Sequence, residues 1–322
     1  QVHAIGMPRG RFTLRGGWRL WRLLRATDAE VVQTWMYHAD MIGGLAARLA
    51  GKRVVVWGVR STYLESLRTR LVARACALVS GIIPRSIICC SLAAARTHVQ
   101  LGYTERRIAV VPNGYDLARF CRDPEARARL RAQWGLNSET VVIGMVARWD
   151  PLKDHLNLAS ALSRLSRRRI REWRLVLVGH SMEASNEALM RLLEDQGLQE
   201  RVLLLGPRRD IAAVMSALDL HVLSSSAEGF PNVVGEAMAC ETPCVVTNTG
   251  DATTIVGETG WTVPTRDSEA LASALESAMA AMLDKSAWAE RQRSARERIA
   301  VHFSLERMLN AYSEVWHEAV RP

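Results

Sequence analysis

Nowhere in this chain of 322 residues do apolar residues run for the roughly 18 to 20 uninterrupted positions that cross a bilayer. Arginine and glycine stand near the N-terminus, where a secretory signal would hold its apolar segment. A cytoplasmic location is the expectation. The six cysteines, Cys76, Cys89, Cys90, Cys121, Cys240 and Cys244, show no CxxC pairing and are too sparse for a disulfide scaffold. Buried, reduced thiols are expected instead. No Asp-x-Asp element stands at a strand end, so neither a metal nor another cofactor is expected. No G-x-G-x-x-G follows a strand, which argues against a dehydrogenase. Helix-turn-helix, RRM, KH and zinc-finger signatures are missing, and aromatic residues do not interleave with basic ones, which argues against nucleic acid as a partner. The chain also lacks low-complexity tracts and repeats, which excludes a solenoid.

What is there suits two ordinary domains: 48% of the residues are apolar and 23% charged. Charge is unevenly placed. Residues 1–117 hold 17 Lys/Arg against 6 Asp/Glu, a net +11, which leaves −2 for the remainder of a chain whose total is +9. A basic first half fits an anionic neighbour such as a membrane face or a phosphorylated lipid, and equally fits a solvated surface with no partner.

Short Val/Ile/Leu-rich runs without period-two alternation predict parallel strands buried on both faces, near 2–6, 30–35, 54–58, 87–90, 108–112, 141–147, 174–179, 202–206, 219–224 and 243–247. Segments with helical spacing lie between them, among them Met41–Ala50, Leu64–Val79, Ala93–Leu101, His155–Leu165 and Asn186–Gln196. This alternation predicts a doubly wound α/β architecture. The charge run of Asp116–Gly135 marks a seam. The first domain then has about five strands and opens without a strand-glycine-helix turn, so one or two preceding βα units are expected to be missing. The apolar period of 304–320 predicts a last helix.

Two segments carry chemistry. In Ser225-Ser226-Ala227-Glu228-Gly229-Phe230-Pro231-Asn232-Val233-Val234-Gly235-Glu236, a loop at a strand end leads into a helix, with Pro231 suited to the first helical position. The free N–H groups of that helix start can bind phosphate oxygens, and the two carboxylates can accept from sugar and ribose hydroxyls. An ordinary acid-rich helix start is the plainer alternative. In Gly144–His155, strand, turn and helix start again follow one another, and they carry Arg148 and Lys153 to the carboxyl edge of the same sheet. Such cations can neutralise charge growing on a departing diphosphate, or they can be solvated surface residues.

Together with Val111-Pro112-Asn113-Gly114-Tyr115-Asp116, Leu175–Gly179 and Leu204–Asp210, these segments resemble the retaining glycosyltransferases of the GT-B fold, family 4 (group 1). The resemblance implies two Rossmann-like domains with a cleft between them, the N-terminal one incomplete: residues 1–117, then 118–303, with a helix over 304–322 returning to the first. It implies a sugar transferred with retention from a nucleotide diphosphate sugar, UDP by family frequency, to a glycan or lipid-linked acceptor in surface polysaccharide synthesis. The membrane-borne acceptor and a place on the inner face of the membrane are expected from the basic charge of the first half alone. By resemblance Glu228 meets sugar hydroxyls, Glu236 the ribose, and Arg148 and Lys153 the diphosphate. Gly229, Phe230, Pro231, Asn232 and Val233 line phosphate and sugar through their backbone, and Gly206, Arg208, Asp210 and Gly179 lie near the nucleotide. Family members often hold a histidine after the strand that here reads Glu30–Thr34. Trp35 takes that place, and His38 is the nearest polar candidate, for sugar, acceptor or helix cap. Arg60 and Ser61 are expected on the acceptor side. A protein that binds the nucleotide-sugar without transfer, or an epimerase acting on it, remains compatible with the same residues.

Overall fold

The computed structural model describes residues 2–7, 13–62, 64, 66–168 and 171–321. They divide into two compact units: Gln1–Pro112 with Met308–Pro322, and Asn113–Arg307.

Unit 1 contains α1 (Leu14–Ala26), β1 (Val31–Gln33), α2 (Tyr37–Leu49), β2 (Val54–Val59), α3 (Leu67–Val79), β3 (Ser86–Cys89), α4 (Leu92–Gln100) and β4 (Ile108–Val110). The four strands form a parallel sheet in the order β1-β2-β3-β4. Val55, Trp57 and Val59 of β2 point into one core, with Tyr37, Cys76, Ile87 and Tyr103. Val56 and Ile88 point to the opposite face, where Tyr312 and Ala319 of the last helix pack on them. Burial on both faces is why β2 reads as an unbroken apolar run. The strand expected near 2–6 does not form, and β1 pairs with β2 alone. The helix expected from Leu64 starts at Leu67 because Ser66 caps it, accepting from the Thr69 amide; residues 63 and 65 lie outside the described residues.

Unit 2 contains α5 (Pro124–Gln133), β5 (Val141–Val146), α6 (His155–Arg167), β6 (Trp173–Val178), α7 (Glu187–Asp195), β7 (Val202–Leu204), α8 (Ile211–Ala217), β8 (Leu220–Leu223), α9 (Asn232–Ala239), β9 (Cys244–Thr247), α10 (Ala252–Val256), β10 (Trp261–Val263), α11 (Ser268–Ala281) and α12 (Lys285–His302); α13 (Leu305–Val320) follows and supplies Met308–Val320 to unit 1. Its six parallel strands run β10-β9-β8-β5-β6-β7. The chain thus leaves β5 toward β6 and returns on the other side with β8. That reversal makes the carboxyl ends of β5 and β8 the topological switch point, the place where open α/β sheets bind ligands.

The seam lies earlier than the charge run implied. Tyr115 donates its backbone N–H to Phe303 O (2.9 Å) and accepts from Leu305 N (2.9 Å), so residues after Pro112 belong to unit 2. Two of the charged residues of α5 are fixed: Arg127 and Arg131 reach Asp219 at 2.5 and 2.9 Å and cover neighbouring carbonyls, while Glu125 and Arg129 are exposed. β10 was not anticipated: its three residues, Trp261-Thr262-Val263, form no apolar run, and the middle one is exposed. All six cysteines are free thiols, five of them buried.

Candidate functional site

The loops that follow β5 and β8 are stitched to each other. Ser224 donates its hydroxyl to Lys153 O (2.8 Å) and Ser226 its backbone N–H to Leu152 O (2.8 Å). Asp154 turns the chain in the left-handed region (φ 49°) and caps α6 by accepting from Asn157 N. Lys153 therefore faces the β8 loop, and its Nζ donates to Glu228 Oε1 at 2.5 Å. Ser225 Oγ donates to the same carboxylate oxygen at 2.7 Å. The two charged side chains keep 18% and 12% of their surface exposed, enough to meet a ligand yet shielded enough for the pair to matter. An ammonium has three donors, and this contact takes one.

The turn that carries Glu228 is gripped from the next strand. Gly250, at φ +55°, lies so close that a Cβ there would sit 2.4 Å from Gly229 O, and Asp251 N donates to Gly229 O at 3.0 Å. Phe230 turns inward onto Phe303, at 5.8 Å between ring centroids, which anchors the loop by its side chain and leaves its backbone to α9. Pro231 is the residue before α9 rather than its first, and α9 starts without a side-chain cap, so its leading N–H groups have no side-chain acceptor. Asn232 is exposed and holds Asn113 Nδ2 on its Oδ1 at 2.7 Å; Val233 is half-buried. Glu236 sits one turn into α9, half-buried. Burial raises its carboxyl above the ordinary range, and Arg119 pulls in the other direction.

Arg148 does not share this cluster. It is 57% exposed and forks Nε and Nη2 onto Asp150 Oδ2, at 3.0 and 2.7 Å. Burial opposes ionisation of Asp150, but the Leu152 amide and Arg148 outweigh it and hold its carboxyl below the usual value. Arg208 and Asp210 likewise clasp each other in two contacts, 2.8 and 2.5 Å. Gly179 and Gly206 lie side by side through Gly179 N to Gly206 O (2.9 Å), which joins the ends of β6 and β7.

The remaining candidates belong to unit 1. His38 is exposed in the first turn of α2; that helix has Met36 as its cap, at φ +70° with no side-chain acceptor, so His38 is not the cap. Trp35 is 45% exposed, with Arg60 5.5 Å from its ring and Tyr312 5.9 Å away. Ser61 is half-buried beside Arg60.

Residues 140–281 match the family model of group 1 glycosyl transferases, and residues 2–119 match that of glycosyltransferase family 4. The chain belongs to the family 4 glycosyltransferases of the GT-B fold. An Escherichia coli UDP-Gal:alpha-D-GlcNAc-diphosphoundecaprenol alpha-1,3-galactosyltransferase is 30% identical over 71% of this chain and 60% of its own length. The putative glycosyltransferase EpsF of Bacillus subtilis is 32% identical over 66% of this chain and 56% of its own. The matches therefore span about 60% of these relatives. Among solved structures, Anabaena Alr3699/HepE in complex with UDP superposes with a TM-score of 0.83 at 22% identity, covering 94% of this chain and 82% of that one. A Rickettsia africae glycosyltransferase superposes at 0.84 and 20%, covering 98% and 84%.

Several residues of this family 4 chain that shape the site were not read from the sequence. Asp150 could have been found by its i, i+2 spacing from Arg148. Ser225 could not, since nothing in a serine run says which hydroxyl will meet Glu228. Nor could Tyr115, whose ring fills the space over Gly235: a Cβ at 235 would meet its Cζ at 2.1 Å. Two buried histidines lie behind the Lys153 loop. Burial, with Lys153 nearby, pushes His155 down to about 4 and His221 to about 3.

Proposed function

We propose that this protein transfers a sugar, with retention, from a nucleotide diphosphate sugar to a glycan or lipid-linked acceptor. One observation carries the reading: Lys153, Glu228 and Ser225 form a partly shielded, hydrogen-bonded cluster at the switch point, on the loop that leads into the uncapped start of α9, the helix that bears Glu236. In this reading the diphosphate lies along the start of α9, where helix N–H groups and the two unused donors of Lys153 meet its oxygens. Arg148 swings from Asp150 to the outer phosphate. Glu228 accepts from sugar hydroxyls and Glu236 from the ribose, while the Gly206 to Asp210 loop with Gly179 borders the base. The leaving diphosphate then gains charge against Lys153 and Arg148, and no divalent metal is required. A front-face attack, in which a donor phosphate oxygen takes the acceptor proton, needs only positioning from the protein. His38, Arg60 and Ser61 are assigned to the acceptor.

UDP is the proposed base, supported by the UDP named for the Anabaena structure. The diphosphoundecaprenol in the Escherichia coli relative's name supports a lipid-linked acceptor, and with it work in surface polysaccharide synthesis at the cytoplasmic face of a membrane.

Calorimetric titration of UDP and GDP into the wild type and into Glu236→Ala and Arg148→Ala tests the donor site. Each substitution should weaken UDP binding by about 1 to 3 kcal/mol, the scale of a hydrogen bond to a charged group. Absence of binding by either nucleotide would refute the donor site. Transfer unaffected by EDTA, with an α-linked product from an α-linked donor by NMR, is expected; a β-linked product would overturn retention.

A further inference from the structure

A strongly apolar groove lies open between α1 and α2 on unit 1. About 470 Å³ in volume, it is lined by Leu14, Trp18 and Trp21 of α1 and by Met41, Leu45 and Leu49 of α2 among others, none of them charged. Leu14 is 84% exposed, Trp18 54%, Leu45 48% and Leu49 69%. Soluble surfaces rarely present so many large apolar side chains together without a partner. α1 also packs on its own unit, with Gly16 buried and Leu24 against the core.

Charge identifies the partner. Leu14, Trp18 and Trp21 recur at i, i+4 and i+7 and form one stripe of α1; Arg15, Arg19 and Arg22 recur at the same spacing and form the stripe beside it. The helix has no acidic residue. Arg22 lies 4.7 Å from the Trp18 ring and Arg25 5.3 Å from the Trp21 ring, so each guanidinium is held level with an indole. Trp21 Nε1 donates to Leu49 O at 3.2 Å, which ties α1 to the end of α2 and makes their apolar sides one surface. A stripe of leucine and tryptophan bordered by a row of arginine is the pattern of a helix lying in a lipid interface, apolar side down, cations at headgroup level. A second copy of the chain would instead set the arginine row against itself across a two-fold contact.

We propose that the α1–α2 groove is the surface by which this protein rests on a bilayer bearing anionic headgroups. It extends the lipid-linked acceptor of the proposed function, since a prenyl-anchored acceptor is met at such a surface. Its structural basis is unit 1 alone.

Flotation with vesicles of phosphatidylcholine, alone or mixed with phosphatidylglycerol, tests it. The whole chain should float with the mixed vesicles and lose binding as salt is raised. Arg15→Gln/Arg19→Gln/Arg22→Gln should lower partitioning roughly a hundredfold, about fivefold per charge. Trp18→Ser/Leu45→Ser should lower it about tenfold while the charge is intact. Equal flotation with neutral vesicles, or a triple variant that floats like the wild type, would overturn the proposal. So would a wild-type dimer in sedimentation that the Trp18→Ser/Leu45→Ser variant abolishes. Melting temperature and UDP titration of each variant report on folding and on the donor site, so loss of UDP binding with retained flotation would indict the donor reading and not this one.

Discussion

The two units treat charge in opposite ways. In unit 2 the charges of the sheet edge close on each other: Lys153 on Glu228, Arg148 on Asp150, Arg208 on Asp210. In unit 1 the cations of α1 face outward along an apolar groove, and the buried carboxyl of Asp40 has no ion-pair partner among the described residues. Asp40 is fully buried; Thr34 Oγ1 donates to its Oδ1 at 2.6 Å, while its Oδ2 has no partner. Burial pushes this carboxyl up to about 7 against the pull of Thr34 and the Gly58 amide. The difference teaches that the sheet edge of unit 2 holds its charges ready in exchangeable pairs, whereas unit 1 spends stability at Asp40 on a group that water would solvate better.

The widest test of this contrast is at Lys153. Lys153→Ala removes the cation that meets both Glu228 and, in our reading, the departing diphosphate, and should lower kcat by about 10²–10³-fold, or about 3 to 4 kcal/mol. A loss below tenfold in steady-state kinetics would mean that the pair is structural. The next effect lies in unit 1. A carboxyl whose folded value stands near 7, above its unfolded value near 3.8, is protonated in the fold while already ionised in the unfolded chain. Its contribution is therefore full at pH below about 4 and is lost as pH rises through 7. Asp40→Asn should raise stability by up to about 4 kcal/mol at pH 8 and by almost nothing at pH 4, followed by urea unfolding at both. An equal gain at both pH values would remove the titration account.

Packing around α9 gives a third handle. Gly235→Ala places a methyl against the buried Tyr115 ring and should cost about 1 to 3 kcal/mol in thermal unfolding. Tyr115→Leu should restore part of it, whereas a backbone cause would leave the second substitution without benefit. The smallest effect concerns acid. His221 is fully buried with both ring nitrogens unpartnered, and its folded value near 3 lies below the unfolded value of 6.5. Its titration adds no cost above pH 6.5 and destabilises the fold as pH falls from there toward 3. His221→Leu should recover about 2 kcal/mol at pH 5 relative to neutral pH. His98 of unit 1, lowered by burial, shares that sign, so an unchanged acid limb in the variant would assign it elsewhere.

Much of the architecture was legible because parallel strands buried on both faces leave unbroken apolar runs, as in Val141–Val146 and Trp173–Val178, where only Val146 and Arg174 are not buried. Short edge strands left a weaker trace: Val31–Gln33, half-buried throughout, was still legible within 30–35, whereas Trp261–Val263, with Thr262 exposed, was not. At the site, the strand-loop-helix grammar marked the loops of Lys153 and Glu228. It said nothing of which partners each side chain takes.

The order of apolar and polar residues along this chain was enough, by itself, to set two parallel α/β sheets, their approximate strands, and the loops that carry Arg148, Lys153, Glu228 and Glu236, because burial and helix periodicity are local properties of sequence. Only the tertiary structure decided that β5 and β8 are neighbours. That pairing sets Lys153 against Glu228, 75 residues apart, with Ser225 donating to the same oxygen. It also decided that Tyr115 closes over Gly235 and that two helices leave an apolar groove beside a row of arginine. Each is a contact between distant segments, and its energy arises only once loop closure and packing have brought both to one place.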